Sequence, residues 1–270
     1  MAAIQPVGGE LLVRVVSGLV LGAAALAAAW IGGAAIAIVL IAAAGLVYVE
    51  WTRVTGEGGN AAVLFGVPVA AAIALVALGQ DALGFAVAAV SLIVAAATSP
   101  RAWRPAGVAY AALFGLSLLS LRYAPLGREA LVFVFAVTWA TDTGAYFGGR
   151  GIGGPKLWPA VSPKKTWSGA ISGLIAATAA GVLVARAFAL PVSLPLVLVT
   201  LFLSLACQAG DLFESAVKRH FGVKDAGHLI PGHGGLMDRV DGLIFVAAAA
   251  ALIGLVHLGP ARLGEGLLLW

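Results

Sequence analysis

EALVFVFAVTWATDTGAYFG, residues 129–148, is a twenty-residue apolar run whose only charged members are Glu129 at its start and Asp142 inside it. At about 1.5 Å per residue such a run spans the roughly 30 Å hydrocarbon layer of a bilayer as a helix. It does not stand alone. Comparable runs occupy residues 14–31, 34–50, 61–78, 82–98, 107–121, 169–188, 192–213 and 238–258 of the 270-residue chain. Backbone polar groups in lipid must be satisfied internally, and the alternating pattern of a barrel is absent, so Ala-, Leu- and Val-rich runs of this length predict helices. The expectation is an all-α, polytopic integral membrane protein with about nine transmembrane helices.

Composition excludes most other classes. Hydrophobic residues make up 61% and charged residues 10%, and the mean hydropathy is +1.05, well away from the roughly 25% charge of a soluble domain. The single cysteine, Cys207, can form no intrachain disulfide and reads as a small core residue. The first ten residues carry no cationic leader, so the first run reads as a retained span. Gly32-Gly33 and Gly79-Gln80-Asp81 are short enough to be tight hairpins, and no inverted repeat of the transporter kind is evident. We divide the chain into an N-terminal membrane region, 1–128, and a C-terminal catalytic region, 129–270, with polar loops at 149–168 and 214–237.

With nine spans, twelve of the sixteen Lys and Arg fall on the side of the N-terminus and four on the other. The positive-inside rule then predicts that the N-terminus and both long loops face the cytosol. All five lysines (156, 164, 165, 218 and 224) lie in those two loops. They either fix topology alone or serve anionic ligands and lipid headgroups as well.

Asp142 is the anomaly of its run. A carboxylate near a helix centre costs about 2.5 to 3.5 kcal/mol on insertion scales, which marks it as functional unless a neighbouring Thr, Lys or Arg satisfies it for packing alone. Asp211, Glu214, Ser215 and Lys218 can share one helical stripe, and Asp238 and Asp241 share the first turn of the last run, where Asp238 could be only a cap. All four aspartates fall in the predicted cytosolic half, so they can share a site. Hard carboxylates without a Cys or His cluster suit Mg²⁺ held together with substrate phosphates. Ser162-Pro163-Lys164-Lys165-Thr166-Trp167 offers ammoniums and hydroxyls just before a helix, and Pro231-Gly232-His233-Gly234-Gly235 offers a glycine-rich turn. The glycines of 148–154 lack Walker spacing and follow a helix, so we discount them.

These residues resemble a known family. SAVKRHFGVKDAGHLIPGHGGLMDRVD (Ser215–Asp241) looks like the signature of the phosphatidate cytidylyltransferases, or CDP-diacylglycerol synthases. Upstream, Gly210-Asp211 with Glu214-Ser215, VSPKKTW from Val161 to Trp167, and Asp142-Thr-Gly-Ala-Tyr146 are similar to that family's pattern in the same order. Ser168 departs from it, standing where many relatives carry an acidic residue. The N-terminal spans resemble the family only in hydropathy and in Arg14 ahead of Ser17-Gly18.

The resemblance implies a bacterial inner-membrane enzyme converting phosphatidate and CTP to CDP-diacylglycerol and pyrophosphate with Mg²⁺, and a homodimer; no nucleic-acid partner is implied. On this reading Asp211, Asp238 and Asp241 hold Mg²⁺, with Asp142 a further metal ligand or part of a second cation's shell. Lys218, Arg219, Lys224, Lys164, Lys165 and Arg239 bind phosphates; Ser162, Thr166 and Ser215 donate hydrogen bonds; Gly234 and Gly235 line the substrate. His233 is the expected proton donor or phosphate ligand. The competing readings are a CTP-dependent kinase of polyprenols or other lipid alcohols and, from a different class, a cation transporter, which the near absence of charge in the outer half disfavours.

Overall fold

The computed structural model describes residues 7–58, 60–99, 101–227 and 234–270, with side chains from Val16 onward. Its helices are α1 (Val7–Ile31), α2 (Gly33–Thr55), α3 (Ala61–Ala77), α4 (Asp81–Thr98), α5 (Trp103–Tyr123), α6 (Gly127–Gly151), α7 (Trp167–Ala187), α8 (Leu194–His220), α9 (Met237–Leu258) and the short α10 (Leu263–Leu268). Each of the nine apolar runs lies within or closely overlaps one of the first nine. Seven of them, α2 and α4 to α9, are long and apolar enough to cross a membrane, while 16–31 and 61–77 are shorter apolar helices. Among the described residues seven spans are therefore shown, and the full count of nine is not.

The all-helical expectation needs one amendment. Between α6 and α7 the chain forms a two-stranded antiparallel hairpin, β1 (Lys156–Trp158) and β2 (Ser162–Thr166). Pro155, Pro159 and Pro163 break any helix here, and strand pairing satisfies the backbone groups that helix would otherwise serve.

Helices α2 to α5 pack together, as do α6 to α9, and the two groups meet where α5 and α2 contact α9 and where α5 and α1 contact α6. Small residues set the close approaches, as expected where packing rather than hydrophobicity drives helix association. A Cβ on Gly144 of α6 would lie 2.6 Å from the Ala176 Cβ of α7, and one on Gly242 of α9 would lie 2.7 Å from the Cys207 Sγ of α8. Large apolar side chains of α1, α4 and α7, such as Leu19, Ile93 and Ile175, stay exposed, as lipid-facing positions do. At the opposite end of the bundle from the long loops, Arg122 donates to the carbonyls of Ala29 and Trp30 at the end of α1, where Gly32 takes a positive φ of 70° to turn the chain into α2.

Candidate active site

The site grows from the crossing of α8 with α6 and α9. Thr141 of α6 donates to Ser204 of α8 at 2.9 Å, and one turn further along, Cys207 Sγ stands 3.6 Å from Asp142 Oδ1. Gly210 and Gly242 let α8 and α9 meet almost backbone to backbone; a Cβ on Gly210 would be 2.5 Å from the Asp241 carbonyl. Asp142, Asp211 and Asp241 thereby come from three helices to the surroundings of one crossing, where the charge of Asp211 reaches each of the other two. Helix α6 continues to Gly151, so Asp142 sits roughly 14 Å along the axis from that end, yet its side chain stays exposed. An exposed carboxylate at that depth needs a polar cavity or a ligand beside it.

Cationic cover over these acids is thin. Lys165 of β2 pairs with Asp211 at 2.5 Å, and Ser215 donates to the same carboxylate at 3.4 Å. Asp241 accepts from its neighbour Gly242 N at 2.8 Å. The charges of Lys165 and Arg239 reach Asp142, and that of Lys218 reaches Asp241. Among the described residues no three His, Cys, Asp or Glu side chains stand at metal-ligand spacing. The donor set nevertheless fits a hard divalent ion of the Mg²⁺ kind, which takes one or two carboxylates and completes its shell with water and substrate phosphates.

Asp238 has a different environment. Its carboxylate is held by Lys218 at 2.6 Å and by the amides of Ala226 and Gly235, both at 2.9 Å to Oδ2. Lys218 also pairs with Glu214, which is 1% exposed and whose Oε1 has no partner among the described atoms. Lys218 thus joins α8 to the start of α9.

The other predicted residues divide by environment. Adjacent strand residues face opposite ways, so Lys165 turns to Asp211 while Lys164 stays exposed. Thr166 is the N-cap of α7, accepting from Gly169 N at 3.1 Å, and Ser162 is half-buried in the hairpin. Arg219 is exposed and donates to the Val223 carbonyl; Lys224 and Arg239 are exposed. Gly234, with φ of 80°, and Gly235 wrap around Asp238, whose oxygen would be 2.9 Å from a Cβ on Gly234. His233 lies outside the described residues.

Two residues were not among the predicted site positions. Glu50, at the end of α2, is 2% exposed and accepts from the amides of Leu236 and Met237 at 3.0 and 2.7 Å. Tyr110 of α5 is buried, its hydroxyl without a partner among the described atoms, and the charges of Asp241, Glu214, Asp211 and Asp238 all reach it. It joins a chain of tilted ring contacts with Trp51, Phe213 and Phe245. A carboxylate at the edge of an apolar run was the available signal for Glu50; Tyr110 gave none.

Residues 12–257 match the Cytidylyltransferase family over nearly the whole chain, N-terminal helices included. The chain belongs to this family. Among curated relatives of this cytidylyltransferase, the phosphatidate cytidylyltransferase of Brucella suis is 45% identical over 259 residues, covering 93% of this chain and 96% of its own. That of Bacillus subtilis is 46% identical over 129 residues, covering 45% and 46%, and that of Staphylococcus haemolyticus 49% over 122 residues, covering 44% and 46%. In cytidylyltransferase terms, acids at one helix crossing with Lys165 and Lys218 beside them form a place where phosphates and a counter-ion can meet.

Proposed function

We propose that the chain is a phosphatidate cytidylyltransferase: a phosphate oxygen of phosphatidate bonds to the α-phosphorus of CTP, the bond to the β-phosphate breaks, and pyrophosphate leaves beside CDP-diacylglycerol. The observation that carries this reading is Lys165 paired with Asp211 where Gly210 and Gly242 bring α8 and α9 together, with Asp142 of α6 reaching in beside Cys207. The near full-length likeness to the Brucella suis relative supports it.

The attacking phosphate is already an anion, so the chain need not supply a base; its work is positioning and electrostatics. Lys165 can move from Asp211 to an incoming phosphate, since both bind it by charge. Lys218, held between Glu214 and Asp238, keeps the start of α9, and with it Asp241, in place against α8. Asp211 together with Asp241 or Asp142 would hold Mg²⁺, with water and substrate phosphates completing the shell, and the ion when bound offsets charge on the triphosphate. Asp142 reaches this place from within a spanning helix, so a lipid headgroup can meet a water-borne nucleotide without its acyl chains leaving the bilayer. We assign this end to the cytosol of a bacterial inner membrane, a reading that the cationic loops support, and a homodimer on the same family reading.

Purified protein with Mg²⁺, phosphatidate and CTP labelled at the α-phosphate should yield labelled lipid and free pyrophosphate, whereas γ-labelled CTP should leave the lipid unlabelled. Label passing to the lipid from the γ-position instead would make the chain a lipid kinase.

A further inference from the structure

Glu50 is a charged side chain near the end of a helix otherwise built for lipid, 186 residues distant in sequence from the groups it binds. Its two carboxylate oxygens are divided between successive amides: Oε1 takes Leu236 N at 3.0 Å and Oε2 takes Met237 N at 2.7 Å. These are among the first amides of α9, which have no partner inside the helix, and they carry the positive end of its dipole. The fit is tight on both sides. A Cβ on Gly227 would lie 2.7 Å from Oε1 and one on Gly235 would lie 2.6 Å from Oε2, so glycine is required at both positions while Glu50 holds this place.

Immediately beyond, Asp238 takes Gly235 N and Ala226 N and pairs with Lys218. Glu50 and Asp238 therefore fasten adjacent amides of one turn, the first from α2 and the second from α9 itself. The amides of Gly235, Leu236 and Met237 are thus occupied by carboxylates and are not open to a substrate phosphate.

We infer that Glu50 is a positioning residue for the cytidylyl transfer: the N-terminal helices use it to set the first turn of α9 and hence the direction in which Asp241 faces Asp142 and Asp211. This rests on the function proposed above. Glu50 touches no substrate in this account; it acts through the turn it holds.

The test uses Glu50→Gln and Gly235→Ala in the full chain in detergent. Glutamine keeps the volume but can accept only one of the two amides and turns an N–H toward the other. Amide exchange at Leu236 and Met237 should rise about tenfold or more at the amide that loses its acceptor, and by less at the one left with a neutral acceptor. Exchange in α5 should stay unchanged. The kcat should fall about ten- to a hundredfold, the cost of an ångström-scale displacement, with a smaller change in KM for either substrate. In combination with Asp238→Asn, Glu50→Gln should add little further loss, since both loosen the same turn.

A folded Glu50→Gln protein with wild-type kcat would overturn the inference. So would a loss of protection spread equally over α5 and α8 in both variants, which would make Glu50 a stabilising residue only. Should Glu50→Gln not fold, Gly235→Ala decides by the same two readouts. Wild-type protein that exchanges as expected but makes no CDP-diacylglycerol would refute the proposed function and leave the Glu50 clamp in place.

Discussion

Asp142 and Asp238 belong to the same chemical type and occupy opposite situations. Asp238 is satisfied by an ammonium and two backbone amides, and it stabilises the structure. Asp142 meets a thiol at 3.6 Å and the charges of Asp211, Lys165 and Arg239, an arrangement that steadies it less than an ion pair and two amides steady Asp238. Replacement should separate the two roles. We expect Asp142→Asn to lower kcat by about 10²- to 10³-fold, the range for losing one electrostatic contact in a water-poor site, without lowering the melting temperature. Asp238→Asn should cost about 2 kcal/mol of stability through its lost bond to charged Lys218, as well as activity. Thermal melting in detergent beside steady-state rates reads both; a melting temperature lowered equally in the two variants would contradict the division. From sequence alone the two were assigned together as metal ligands. A cap-like role for Asp238 was visible as an alternative, and its bonds to the amides of Ala226 and Gly235 fit that alternative.

Among the elements, the β1–β2 hairpin changes the reading of the two lysines most. As a loop, Lys164 and Lys165 formed a paired clamp; as a strand they point apart, and Lys165 alone reaches Asp211. Lys165→Ala should reduce kcat/KM about ten- to a hundredfold, the equivalent of one charge-assisted hydrogen bond. Lys164→Ala should change it by less than about threefold, as exposed charges do. Comparable losses in the two would mean that the hairpin opens when substrate binds. The helices were legible because an apolar run of 15 residues or more has few alternatives in a membrane protein. The hairpin was not, because three prolines and a lysine pair say where helix stops without saying what replaces it.

For the whole molecule, the signature segments lie in the C-terminal half, yet α2 and α5 close the site from the N-terminal half through Glu50, Trp51 and Tyr110. Orientation is the matching prediction. A cysteine replacing Lys156 should react with a membrane-impermeant maleimide only from the cytosolic face, and one replacing Val192 only from the opposite face; native Cys207 is buried. Reversed labelling would reverse the charge-based topology and put the acids beyond the reach of cytosolic CTP. Hydropathy and charge, being summed along the chain, let the amino-acid order by itself determine the membrane class, the helical runs, the family pattern and the acids that matter. Which acids are fastened to backbone amides and which are not depends on contacts between residues as much as 187 positions apart. Those contacts exist only once Gly210, Gly235 and Gly242 let their neighbours close in, so the tertiary structure alone decided them.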